Sequence, residues 1–267
     1  MKSYIIEVTG ENSCNKCLAL QGQVFSLDEA EVGVNFPPIH PNCNCSIIVS
    51  DKEANEMELD LDVDDYIAEN GINVLNVPNR TNQVDFLNSI LKGSVLEQLR
   101  TGIPWQVTMA QAAQETGWGS SVMVDNYSGQ DSNNLFGIKY IGSPSDTGKF
   151  VRVWTTEYID ESELGQWEKE QARWALNGEP LVNTGDKDSK GRLKIKVIQP
   201  FKVFSSRDES IVGHSQTLSG DVYAKAAKYM GDPYAYLKAI SDIYATDSNY
   251  YKDVASIITM YLDWIGK

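Results

Sequence analysis

The run from Ile103 to Lys139, IPWQVTMAQAAQETGWGSSVMVDNYSGQDSNNLFGIK, leaves this chain little choice about how its centre can fold. Pro104 suits a first helical turn, where its missing N–H would have no partner in any case. Val107, Ala110, Ala113 and Gln114 keep a helical rhythm with small side chains, so another element or a flat ligand can come close on that face. Gly117 ends the helix as the residue after its C-cap, and Trp118-Gly119 follows. Glu115 therefore rides in the last turn, near the negative end of the helix dipole and beside an indole. Both influences disfavour the ionised carboxylate and predict a raised pKa. A carboxylic acid that stays protonated near neutrality can act as a general acid. The plainer alternative is a solvated glutamate at a helix end.

Charge divides the chain into parts. The formal net charge is −14, yet residues 51–69, DKEANEMELDLDVDDYIAE, hold nine acidic residues against Lys52 alone. What lies beyond residue 69 is close to balance. Acidic runs of this kind read as solvated linkers, and residues 51–83 are expected to be one. With no basic stripe to follow a phosphate backbone, nucleic acid is not an expected partner. The apolar runs are too short for a membrane-spanning helix. The opening residues, MKSYIIEVTGENSCNK, contain no apolar core of signal-peptide length, so synthesis in the cytoplasm without an export signal is expected.

Residues 1–50 hold all four cysteines, Cys14, Cys17, Cys43 and Cys45, together with His40. A C-x2-C pair and a C-x-C pair separated by a loop can wrap one tetrahedral Zn²⁺, with His40 as a further candidate ligand. So small a unit buries little core and needs a metal or disulfide staple. Zinc, disulfides and free thiols all remain open on this spacing.

From Val84 a helical period runs through Phe86, Leu87, Ile90, Leu91, Val95, Leu96 and Leu99, punctuated by Gly93 and Gly102. Lys149–Tyr158 and Leu193–Phe204 alternate as half-buried strands that could pair. Between them Trp167 and Trp174 stand at helical spacing, and the reading favours packing of that helix over stacking on a ligand. The tail from Ile211 is helical, broken at Gly231-Asp232-Pro233 and near Ala245-Thr246-Asp247. The expected class is α+β: mostly helices with one small antiparallel sheet.

Three motifs taken together, A-Q-A-A-Q-E-T-G-W-G, N-L-F-G-I-K and T-T-E-Y, are more specific than any one of them. With Phe201–Ser210 and the late Tyr244-Ala245-Thr246-Asp247, they resemble the bacterial N-acetylglucosaminidases of glycoside hydrolase family 73 over residues 84–267. The resemblance implies a lysozyme-like helical lobe, a small β-lobe and a glycan cleft between them. It also implies an endo-acting peptidoglycan hydrolase that needs no catalytic cofactor. On the matching positions Glu115 would be the general acid, Glu157 the second acidic residue and Tyr244 a tyrosine near the reacting sugar. Trp118, Asn134 and Phe136 would shape the floor of the substrate site. About 43 residues separate Glu157 from Phe201, more than such domains usually carry. A muramidase on the same fold, or an inactive domain in a virion protein, is the alternative.

Residues 14–45, CNKCLALQGQVFSLDEAEVGVNFPPIHPNCNC, resemble the C-terminal signature of phage Mu F-type minor head proteins. The matching positions are Cys14, Cys17, Gly22, Phe25, Pro37, Pro38, His40, Pro41, Asn42, Cys43 and Cys45. This implies a phage or prophage setting, with virion proteins as possible partners and delivery to the wall through a holin-like pore or a particle. The expected organisation is thus a cysteine-rich unit at 1–50, an acidic linker at 51–83 and a glucosaminidase domain at 84–267.

Overall fold

The computed structural model describes residues 3–8, 17, 20, 23–26, 29–40, 43, 45–50, 63–74, 77–245, 247 and 249–266. Cys14 and most of the acidic run, residues 51–62, lie outside the described residues. Two compact units emerge: residues 1–114 with 211–267, and residues 115–210.

In the first unit, β1 (Ser3–Val8) is the centre of a three-stranded antiparallel sheet, flanked by β2 (Val24–Ser26) and β3 (Cys45–Ser50). Among the described residues, Tyr4, Ile6, Cys17 and Ile39 are buried in its core, with Leu20, Phe25, Phe36 and Ile47 packed against them. The stretch read as linker contains a helix, α1 (Val63–Glu69), whose Asp64 pairs with Lys92 at 2.6 Å. After it, β4 (Asn73–Val74) pairs with β8 (Ile265–Gly266).

Helix α2 (Thr81–Thr101) runs unbroken through Gly93 and buries Val84, Phe86, Leu87, Ile90, Leu91 and Val95. Those contacts outweigh the roughly 1 kcal/mol that a mid-helix glycine costs. Gly102 does stop it, at φ 78°, where a Cβ would meet Met230 Sδ at 2.7 Å. The Gln98 side chain then accepts from the Trp105 N–H at 2.9 Å and caps α3 (Trp105–Thr116). Val107, Met109, Ala110, Ala112 and Ala113 are buried in α3. Two of its other side chains meet α7 (Tyr250–Leu262). Gln111 Nε2 donates to the Tyr250 hydroxyl at 2.9 Å, and the Trp105 and Tyr261 rings lie 6.2 Å apart.

The tail breaks as the sequence predicts. Asp232 accepts from the N–H groups of Tyr234 and Ala235 and starts α6 (Pro233–Tyr244). Residues Asp221–Tyr229 form a 3₁₀ stretch rather than an α-helix.

His214, on α5 (Arg207–Leu218), is buried, and burial pushes its imidazole down to about 3. The unfolded chain takes up this proton near pH 6.5, whereas the native protein resists it until about pH 3. Stability therefore falls as pH drops through that window, by at most about 1.4 kcal/mol per pH unit. Urea unfolding midpoints of wild type and His214→Leu measured between pH 7 and 5 check this. The wild-type slope should exceed that of the variant.

The second unit is built on β5 (Phe150–Ile159), β7 (Leu193–Lys202) and β6 (Val182–Lys187), in the order β5-β7-β6. The two strands expected from alternation pair antiparallel over ten residues, with Glu157 opposite Ile195. Between them a 3₁₀ turn at Glu161–Glu163, with Asp160 and Glu163 forming a capping box, leads into α4 (Leu164–Trp174). Gln171 Oε1 accepts the Ile198 N–H at 2.7 Å while its Nε2 donates to the Glu179 carbonyl, locking α4 onto β7. The α+β class expected from the sequence is what the chain adopts. Among the described residues no helix is long and apolar enough to cross a membrane.

Candidate active site

Glu115 is the penultimate residue of α3 and is solvent-exposed, so the indole that follows it in sequence does not bury it. What the fold supplies instead is a firm end to its helix. Gly117, Trp118 and Gly119 all take left-handed φ values, 53°, 61° and 76°. That conformation is costly for a tryptophan and persists only when its surroundings enforce it. Buried Thr116 does so: its hydroxyl accepts the Gly119 N–H at 2.8 Å and its carbonyl the Ser121 N–H at 2.8 Å. Trp118 is half-buried beside the acid.

The N-L-F-G-I-K motif is a fastening. Asn134 is buried, and its amide donates to the carbonyls of Ile138 (2.8 Å) and Lys202 (3.0 Å). Its Oδ1 accepts from the N–H groups of Phe136 (3.3 Å) and Ile138 (3.0 Å). Phe136 is also buried. The side chains expected to contact substrate thus include two that the fold holds inside, Asn134 spending its polar capacity on backbone. Lys139, the last residue of the motif, reaches Glu157 at 3.6 Å. Hydrogen bonds from Lys202 to Ile138 and from Tyr140 to Pro200 lay the motif along β7.

Glu157 is half-buried on β5, where Thr155 Oγ1 also approaches it at 3.4 Å. It opens onto a cavity of about 600 Å³ lined by Lys139, Tyr140, Trp167, Arg173 and Gln199 among others. Trp174, buried, packs against Phe150 and Ile198, as the packing reading expects. Trp167 is half-buried over Ile159, Leu193, Ile195 and Val197 and borders the cavity with its remaining surface.

Asp125 went unnoticed in the sequence. Burial pushes its carboxyl up, but hydrogen bonds from the Arg152, Ser128 and Tyr127 N–H groups and the Ser128 hydroxyl outweigh this and hold it below the usual range. It ties the loop after Trp118 to β5. An aspartate two and three residues ahead of the N–H groups it binds is the one signal that could have found it.

Tyr244 ends α6 in the first unit, stacked on Tyr250 at 5.5 Å and edge-on to His214. In the N-terminal unit Cys17, Cys43 and Cys45 converge. Burial raises the Cys43 thiol, yet backbone hydrogen bonds from Cys45 and Ile39 and the Cys45 and Cys17 side chains bring it down to about 6.

Glycoside hydrolysis uses two carboxyl groups, and the chain offers Glu115 at a helix end and Glu157 on a strand. The family model described as mannosyl-glycoprotein endo-beta-N-acetylglucosaminidase matches residues 94–263, and the chain belongs to this glucosaminidase family. A second model, phage Mu protein F like protein, matches residues 3–48. The peptidoglycan hydrolase FlgJ of Pseudomonas aeruginosa is 30% identical over 175 residues, 65% of this chain and 35% of that protein. FlgJ of Escherichia coli K12 is 32% identical over 101 residues, covering 38% and 30% of the two chains. This chain therefore spans about a third of the length of these relatives. Among solved structures, a truncated glycoside hydrolase domain of Salmonella typhimurium FlgJ is similar at 26% identity and TM-score 0.47, over 67% of this chain and 97% of that one. The catalytic domain of the autolysin Auto from Listeria monocytogenes is similar at 25% identity and TM-score 0.48, over 74% and 92%.

Proposed function

We propose that this protein hydrolyses the glycan strand of peptidoglycan as an endo-β-N-acetylglucosaminidase, with Glu115 as the acid that protonates the leaving sugar's oxygen. The observation that carries this reading is the placement of Glu115: exposed, at the end of a helix whose termination is enforced by Thr116 and three left-handed residues. A glycan strand lying over that carboxylate would itself exclude water and favour the protonated form. Glu157, with the Lys139 ammonium 3.6 Å away, serves as the base or nucleophile on the other side of the bond. On motif alone, Tyr244 is the tyrosine beside the reacting sugar and Trp118 a wall of the site. Asn134 and Phe136 work from inside, holding the segment that presents Lys139. No cofactor takes part in the hydrolysis.

The names of the relatives support the substrate, and the Mu F-like stretch supports a phage or prophage setting with release through a pore or delivery in a particle. Digestion of purified cell walls followed by mass spectrometry of the reduced fragments tests the bond. New reducing ends on N-acetylglucosamine are expected. Ends on N-acetylmuramic acid would make the protein a muramidase, and no new ends would leave it a non-catalytic wall or virion protein.

The cavity beside Glu157 adds a specific expectation. An indole bordering it gives a sugar ring a flat apolar face, worth about 1 kcal/mol. Trp167→Ala should therefore raise KM for solubilised glycan strands about threefold to tenfold, with kcat nearly unchanged. An unchanged KM would assign Trp167 to packing alone.

A further inference from the structure

We propose that Cys17, His40, Cys43 and Cys45 form a structural zinc site that holds the N-terminal unit together. The sulfur atoms of Cys17, Cys43 and Cys45 all lie within 4.8 Å of one another. Cys17 Sγ is 3.6 Å from Cys43 Sγ and 3.0 Å from His40 Nε2. A tetrahedral Zn²⁺ with sulfur ligands at about 2.3 Å sets its sulfurs roughly 3.8 Å apart, so the Cys17–Cys43 spacing already suits it. A disulfide would need about 2.05 Å, well inside that spacing. Three converging thiols, with an imidazole nitrogen 3.0 Å from one of them, are a soft donor set of the kind that structural zinc takes.

The placement of these donors says what the metal would do. Cys45 begins β3, and the Cys43 N–H is fixed by the His40 carbonyl at 3.1 Å. Cys17 comes from the other limb, before β2, and is buried with Tyr4, Ile6 and Ile39 among the described residues. A unit of about fifty residues buries little core and is weakly stabilised by it. A metal joining the two limbs closes the intervening loop and couples its binding free energy to folding. Zinc ligation by these side chains releases the thiol protons and forms the metal–sulfur bonds with no change of oxidation state.

The full chain, purified without chelator, should carry one zinc per molecule by elemental mass spectrometry. Replacing zinc with Co²⁺ should produce the intense near-ultraviolet sulfur-to-cobalt band and visible absorption of a tetrahedral site. Cys43→Ser and His40→Asn should each reduce bound metal at least tenfold, while hydrolysis of cell walls persists. Because a variant could lose metal simply by misfolding, Co²⁺ titration of the metal-free wild-type chain gives an independent reading. Absence of zinc together with an intact mass showing paired, oxidised thiols would overturn the site in favour of disulfides. Full zinc retention by His40→Asn would remove His40 from the ligand set. A cobalt adduct lacking the sulfur band would overturn thiolate ligation.

Discussion

Glu115→Gln should lower cell-wall hydrolysis by at least about a thousandfold, within the range that general acids contribute, and leave the fold unchanged. The sugar hydroxyl is a poor leaving group, and a carboxamide can hydrogen-bond to the glycosidic oxygen but cannot deliver a proton to it. The exposure of Glu115 supports the second half of the expectation, because the amide replaces a carboxylate that water already reaches. Thermal unfolding of the variant should match wild type to within a degree or two. A glycoside with a strongly acidic aryl leaving group needs no protonation, and the variant should be much less impaired on it. Equal losses on both substrates would mean that Glu115 does not act as the acid. A coincident drop in unfolding temperature would make it a structural residue.

Asn134→Ala should produce the largest change in stability of any single polar substitution in residues 115–210, about 2–4 kcal/mol. Two carbonyls and two N–H groups lose their partner at once, all in a segment buried against β7. Asn134→Asp is the sharper variant, because it keeps the acceptor and replaces the two-donor amide with a buried charge facing carbonyls. It should be at least as destabilised. Urea unfolding followed by tryptophan fluorescence reads both. If Asn134 instead met the substrate, both variants would keep their stability and raise KM.

These two residues show what the sequence could and could not disclose. Helix α3 and its stop were legible because Pro104, the small-residue face and Gly117 each have a single local meaning. Strands β5 and β7 were legible because one face is buried and alternation survives in the side chains. Strand β6, V-N-T-G-D-K, was not: it is almost wholly exposed, and nothing in its composition separates it from a loop. Helix α1 hid inside the acidic run, where Val63 is its one fully buried side chain. In the candidate site, the positions of Glu115 and Glu157 followed from motifs. The Lys139–Glu157 pair and the Asp125 clamp needed distances between segments far apart in sequence, which periodicity does not encode. The backbone hydrogen bonds of Asn134 were hidden for the same reason, since a polar residue in a short motif looks alike whether it faces a ligand or the backbone.

The two-residue ladder between β4 and β8 has a topological consequence. Asn73 lies opposite Gly266, so the polypeptide returns to its starting point after nearly two hundred residues and the intervening chain is clasped like a purse string. Whatever is joined ahead of residue 73 departs beside residue 266. A circular permutant that links these two positions through a short glycine bridge and opens an exposed turn elsewhere would keep the pairings within residues 73–266, while the Asp64–Lys92 pair would be lost. The N-terminal cysteine-rich unit could then be joined at the new terminus, making its point of attachment an independent variable.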